Sequence, residues 1–243
     1  MLNGNVRASL TREDATLALR LIARGSAEAL SAAEALLRDG GIDALLDDDR
    51  LVPAMVESRA GMHASLPLFF CAVVRRAFAM SEERDRALAD YVADVLIQFA
   101  ARGRAEQVAV HDDQTYDTLA ALVADVNVAD AGRSFLVRQH LGNYALWMSG
   151  LFPDRIETRR WRRGGPSIDY YDELGRRGFA LAAEHRLAHE NGMDALMTHA
   201  AERFVKLRVA LNRVSDTLLF PNRSSPERLM RQVRDEARWR KAG

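Results

Sequence analysis

Glu184, His185, His189 and His199 come nearest, in residue type and spacing, to a metal site in this chain. Two histidines four apart on one helix present both imidazoles on the same side. Glu184, or His199 beyond the Asn191-Gly192 turn, would supply a third ligand. Zincin chemistry needs a glutamate directly after the first histidine, and Arg186, Leu187 and Ala188 stand there instead. Ferritin-like di-iron sites need a carboxylate three residues before a histidine. The six histidines have Ala60, Val108, Val137, Ala182, Arg186 and Leu196 at that offset, so this class is disfavoured. Ordinary hydrogen-bonding histidines are the expectation, with a His-ligated metal as the lesser alternative and no cofactor predicted.

A second constellation surrounds His140. On a helix, His140, Asn143, Tyr144 and Trp147 fall at i, i+3, i+4 and i+7 and form one polar-aromatic face. Arg138 stands beside it, and Tyr170, Tyr171 and Glu173 open a later helix. Together they could hold a small anionic or aromatic ligand, with a cation for its charge and rings for its body. The competing reading is a core helix whose polar groups bond to neighbouring helices.

Charge patterning marks two basic clusters. The whole chain balances 34 basic against 34 acidic residues. Residues 1–150 nevertheless carry 15 basic and 21 acidic side chains, and residues 201–243 carry 11 and five. One cluster is Arg159, Arg160, Arg162 and Arg163 around Trp161; the other is Arg228, Arg231, Arg234 and Arg238 in the basic C-terminal segment 221–243. Such stripes attract nucleic acid or an acidic protein face. The expected resting place of the C-terminal stripe is the acidic first 150 residues of the same fold or of a second subunit. Nucleic acid is the alternative partner.

Catalytic templates are otherwise missing. No phosphate loop, dinucleotide fingerprint or nucleophile elbow occurs. Cys71 is the single cysteine, which excludes a disulfide framework, and it sits in the most apolar segment, where a thiol is usually an inert filler. The longest strongly apolar run, Leu66 to Val74, is nine residues, against roughly 20 for a membrane span. No secretory leader precedes the first helix, so the expectation is a cytoplasmic protein without membrane contact.

The elements that must position these groups are helices. Thr11 with Asp14 three residues on signals an N-cap for 11–24; Ser26 opens a helix stopped at Gly40-Gly41. Residues 65–80 read as a buried apolar helix, with Ser81 placed to cap the next. There Leu88, Tyr91, Val92, Val95, Leu96 and Phe99 form an amphipathic stripe. Helices are also expected over 113–126 and 133–150, and 151–167 reads as a loop. Residues 169–189 and 193–219 read as two long helices, the second carrying a heptad seam from Met197 to Leu218. Pro221 ends it, and Ser225 starts the last, charged helix. The architecture predicted is all-α: one helical domain over 1–243 with a central long antiparallel hairpin, and a weaker boundary near 103–113.

Three stretches, Asp90 to Ala93, Leu141-Gly142-Asn143 through Gly150-Leu151-Phe152-Pro153, and Asp169 to Gly175, resemble segments of helical proteins from GC-rich bacteria. The resemblance implies no activity; it directs attention to residues 138–175. The leading functional expectation is a non-catalytic binding or adaptor protein acting through a charged surface on a protein partner or on itself. A ligand-binding protein or enzyme with a pocket at His140 and Tyr170 is the runner-up.

Overall fold

The computed structural model describes residues 6–101, 103–109, 112 and 114–242, with side chains as far as Asp235. Thirteen α-helices and no strand occur among the described residues, so the fold is all-α. None of these helices is long and apolar enough to cross a membrane. The chain divides into two compact units, Leu2–Ala101 and Arg102–Gly243.

In the first unit α1 (Arg12–Ala23) opens on the expected capping box. The Thr11 side chain accepts from the Asp14 N–H, and Asp14 accepts from the Thr11 backbone. Ser26 caps α2 (Ala27–Leu46), which does not stop at Gly40-Gly41 as expected but kinks at Gly41, where φ is +66° and only glycine is unstrained, and resumes to Leu46. After α3 (Leu51–Glu57), Ser65 caps α4 (Leu66–Ala79), and α4 packs on α5 (Arg86–Ala100). All six stripe residues of α5 are buried. Its cap is Asp85, which accepts from Leu88 N–H at 3.1 Å, and not Ser81. At the centre lies Arg75, 3% exposed, bidentate to Asp90 and 2.8 Å from Asp43.

The second unit is built around α7 (Ala131–Leu151). This helix is buried on nearly every side, as a helix enclosed by neighbours must be. Against it pack α6 (Leu119–Ala124), α8 (Pro153–Arg163), α9 (Ile168–Ala183) and, beyond α10 (Arg186–Glu190) and α11 (Asp194–Glu202), α12 (Phe204–Val214). A π-helical turn, Ser215–Leu219, follows, and α13 (Pro226–Ala242) closes the chain.

The hairpin is present as α9 and α11, but both of its long helices are interrupted. The first stops at Ala183, and the second breaks at Arg203. From Met197 to Val214 the seam residues are all buried; the seam's α11 half lies on α9, and its α12 half mostly on α7. A straight helix could not follow both partners. Residues 153–163, expected as loop, are helix α8. Pro153 stands at its first turn, where no N–H is needed, and Gly164 closes it with φ +64°. Asp154 near the start and Arg160, Arg162 and Arg163 at the end match the helix dipole. The helix lacks an apolar stripe because it buries few residues, Pro153, Ile156 and the charged Glu157.

Candidate functional site

The predicted face of α7 is real as a register but lies in the interior. His140 is 3% exposed, its Nε2 2.9 Å from the Ala105 carbonyl. Burial, reinforced by nearby Arg104, holds the imidazole neutral, with its pKa pushed down to about 4. Its ring begins an aromatic ladder, His140 to Tyr144, Trp147, Phe152 and Phe220, at centroid spacings of 5.0–6.3 Å. Asn143 is fully buried. Arg138 donates to the carbonyls of Val126 and Leu181, and Glu173 is exposed. Of the eight predicted pocket residues, the structure brings Tyr144, Tyr170 and Tyr171 to one cleft and leaves the other five outside its lining.

That cleft has a volume of about 270 Å³. One wall is Thr118 and Leu119 at the start of α6. This segment is held over α7 by Tyr116, whose hydroxyl donates to Asp125 at 2.8 Å and accepts from Arg133 at 2.9 Å. Ile156 and Arg159 come from α8, Pro166 from the connection, and Tyr170 and Tyr171 from α9. The two adjacent tyrosine rings meet edge to face at 6.3 Å. Tyr144 donates to the Asp117 carbonyl at 3.4 Å. Tyr171 is 8% exposed, and its hydroxyl has no hydrogen-bond partner among the described residues. Burial raises the pKa of Tyr144 and Tyr171, so both phenols stay protonated and act as donors.

Arginine placement separates the two basic clusters. Arg228 lies 2.7 Å from Asp154, Arg231 2.8 Å from Asp216, and Arg234 3.5 Å from Glu157. Arg228 also donates to the carbonyls of Phe220 and Arg223. Among the described side chains, Arg228, Arg231 and Arg234 of the C-terminal stripe are thus paired within their own chain, with carboxylates at 154, 157 and 216 and not with those of the acidic first 150 residues. Those three stand within reach of α13; overall charge balance does not specify which ones do. Arg238 lies outside the described side chains. The outward face of α13 is apolar, with Leu229, Met230 and Val233 exposed by 60%, 69% and 67%. On α8, Arg160 stands 4.0 Å from Glu157 and beside the ring of Trp161. Arg155, Arg159, Arg162 and Arg163 have no carboxylate partner among the described residues.

The histidine set is not brought together. The spacing of His185 and His189 places them on one face only if the helix is continuous, and it is not. His185 caps α10, its Nδ1 accepting from Leu187 N–H at 3.2 Å while its ring rests on Phe135. Burial and then Arg138 lower its pKa. His189 pairs with Asp194 at 3.1 Å, Glu184 is exposed at the end of α9, and His199 lies on α11. Among the described residues no group of three or more His, Cys, Asp or Glu side chains could hold a metal ion.

Sequence reasoning missed Arg155, Ile156 and Thr118 at the site, and the buried Arg75 and Arg208 elsewhere. Pro153 and Gly164, which bracket an arginine-rich stretch, were the signal for α8. Nothing local marked the buried arginines. Comparison with protein-family models, with curated proteins and with solved structures finds no match to this chain.

Proposed function

We propose that this protein is a non-catalytic binding protein that recognises an anionic partner through the arginine face of α8 and the cleft beside it. One observation carries the reading. Four arginines of one helix, Arg155, Arg159, Arg162 and Arg163, lack carboxylate partners among the described residues, whereas Arg228, Arg231 and Arg234 of α13 are paired internally. On this reading the charged surface of the adaptor is the α8 face, since Arg228, Arg231 and Arg234 of α13 are occupied within the chain. The groups facing the cleft support binding over chemistry. Protonated phenols and a guanidinium donate hydrogen bonds and attract negative charge, and at neutral pH none of them takes up a proton.

Retention on a heparin column tests the reading. The variant with Arg155, Arg159, Arg162 and Arg163 all changed to Gln should elute at much lower salt than the wild type. A variant with exposed Arg176 and Arg177 of α9 changed to Gln serves as the control for net charge. Equal losses in the two variants would show general charge at work and remove the assignment to α8.

A further inference from the structure

We infer that the cleft between α6, α7, α8 and α9 binds a small aromatic acid: one ring bearing a carboxylate or phosphate, with the acid at Arg159 and the ring among the tyrosines. The inference rests on the anion-binding reading above and gives it a ligand class. Size comes first. About 270 Å³ falls just under the range of roughly 300–1,000 Å³ that holds drug-sized ligands, which suits one ring and one acid group.

Chemistry sets the orientation. Arg159 lines the cleft without an ion-pair partner, and Arg155 stands one helical turn away. Both arginines act electrostatically on Tyr144 and on Tyr171, so their positive field reaches the cleft from the α8 side. Tyr171 is 8% exposed and lines the cleft, and its hydroxyl has no hydrogen-bond partner among the described residues. Such a donor is free to exchange water for an acceptor on a ligand that enters the cleft. Ile156, Leu119, Ala120, Pro166 and the ring of Tyr144 supply apolar wall for the ring, while Asp117 and Thr118 make part of the lining polar. Tyr170, 40% exposed at the mouth, presents its ring edge-on to Tyr171 and offers a face to an incoming ring.

Calorimetric titration of the full chain with four probes tests this: benzoate, phenyl phosphate, acetate and inorganic phosphate. The ring-bearing member of at least one pair should bind about tenfold or more tightly than its ringless counterpart, since an aromatic contact and ring burial together exceed the 1.4 kcal/mol that tenfold requires. Arg159→Gln should weaken that binding by about tenfold, as loss of a charge-assisted hydrogen bond does. Tyr171→Phe should weaken it several-fold, and Arg176→Gln, at an exposed position of α9, should leave it unchanged. Thermal unfolding of each variant checks that the fold persists; exposed Tyr170→Ala is a further variant that leaves the buried walls in place. Equal binding of ringed and ringless probes overturns the aromatic assignment while the heparin result for α8 stands. Absence of binding by all four probes to folded wild-type protein overturns the inference, and unchanged heparin retention of the fourfold arginine variant overturns the underlying reading as well.

Discussion

The backbones of α7 and α9 touch where Gly178 faces Gly142. A Cβ on Gly178 would stand 2.6 Å from the Gly142 nitrogen and 3.0 Å from the Arg138 carbonyl oxygen. The neighbours at risk are main chain, which cannot rotate aside. Gly142 in turn accommodates the ring of Phe179, whose atoms would meet its Cβ at 2.6–2.7 Å. This contact sets the separation of the two helices that supply Tyr144, Tyr170 and Tyr171 to the cleft.

Gly178→Ala is therefore expected to destabilise the protein by about 1–3 kcal/mol or more, the range for overpacking, and to weaken ligand binding by widening the cleft. Gly132→Ala, near the start of α7, meets only the Asp130 side chain at 3.4 Å. There the gain in helix propensity, up to about 1 kcal/mol, should leave stability unchanged or raised. Urea unfolding of the two variants makes the comparison.

Deletion of residues 225–243 should lower the melting temperature on the order of 10 °C. It removes Asp235, which holds fully buried Arg208 at 3.2 Å, and leaves that guanidinium to Asp172 and Asn212. Breaking a buried pair costs about 3–5 kcal/mol, and each kcal/mol is worth about 2–4 °C at this chain length. Calorimetry on the truncated chain reads the shift, and an unchanged melting temperature would show that α13 contributes nothing to the fold.

His140 makes stability depend on pH in a definite direction. Its pKa is depressed in the folded chain, from 6.5 to about 4. The unfolded chain therefore binds the proton first as pH falls. The contribution is fully present above pH 6.5 and is lost progressively as the pH drops to about 4, reaching about 3 kcal/mol. Urea denaturation at several pH values, wild type against His140→Gln, isolates this term from the carboxylates that titrate in the same range.

Cys71 should be chemically silent in the native state. It is completely buried in α4, and burial, reinforced by Asp90, pushes its thiol up to about 12. At pH 8 a disulfide reagent should react with it only at the rate of unfolding, and in denaturant at once. Fast reaction of the native protein would place the thiol at the surface.

Removing Arg75 should be among the costliest substitutions in the first unit. Arg75→Met leaves Asp43 and Asp90 facing each other at a buried position without their shared guanidinium. A loss of about 3–5 kcal/mol is expected. It should shrink when Asp90→Asn is added, which a double-mutant cycle by urea unfolding measures.

What the sequence by itself determined was local. The caps at Thr11, Ser26 and Ser65, the buried stripe of α5 and the buried seam from Met197 to Val214 all depend on residues three or four apart, and periodicity exposes them. The pair Gly40-Gly41 marked a break, but that the helix resumes beyond it to Leu46 was decided by packing, since glycine permits a positive φ without dictating it. Tertiary structure decided the rest. Arg228 meets Asp154 across 74 positions, and Asn212 bonds the Ser149 carbonyl across 63. No local pattern distinguishes an arginine that will be buried against a carboxylate from one that will face water, because the two carry the same charge and the same helix propensity. That is why α13 buries Arg228 and Arg231 and exposes Leu229, Met230 and Val233, contrary to the usual amphipathic order, while Arg155, Arg159, Arg162 and Arg163 of α8 are left without carboxylates among the described residues. The cleft is of the same kind: Tyr144 stands 26 and 27 positions from Tyr170 and Tyr171, and the packing of α7 on α9 brings them to one opening.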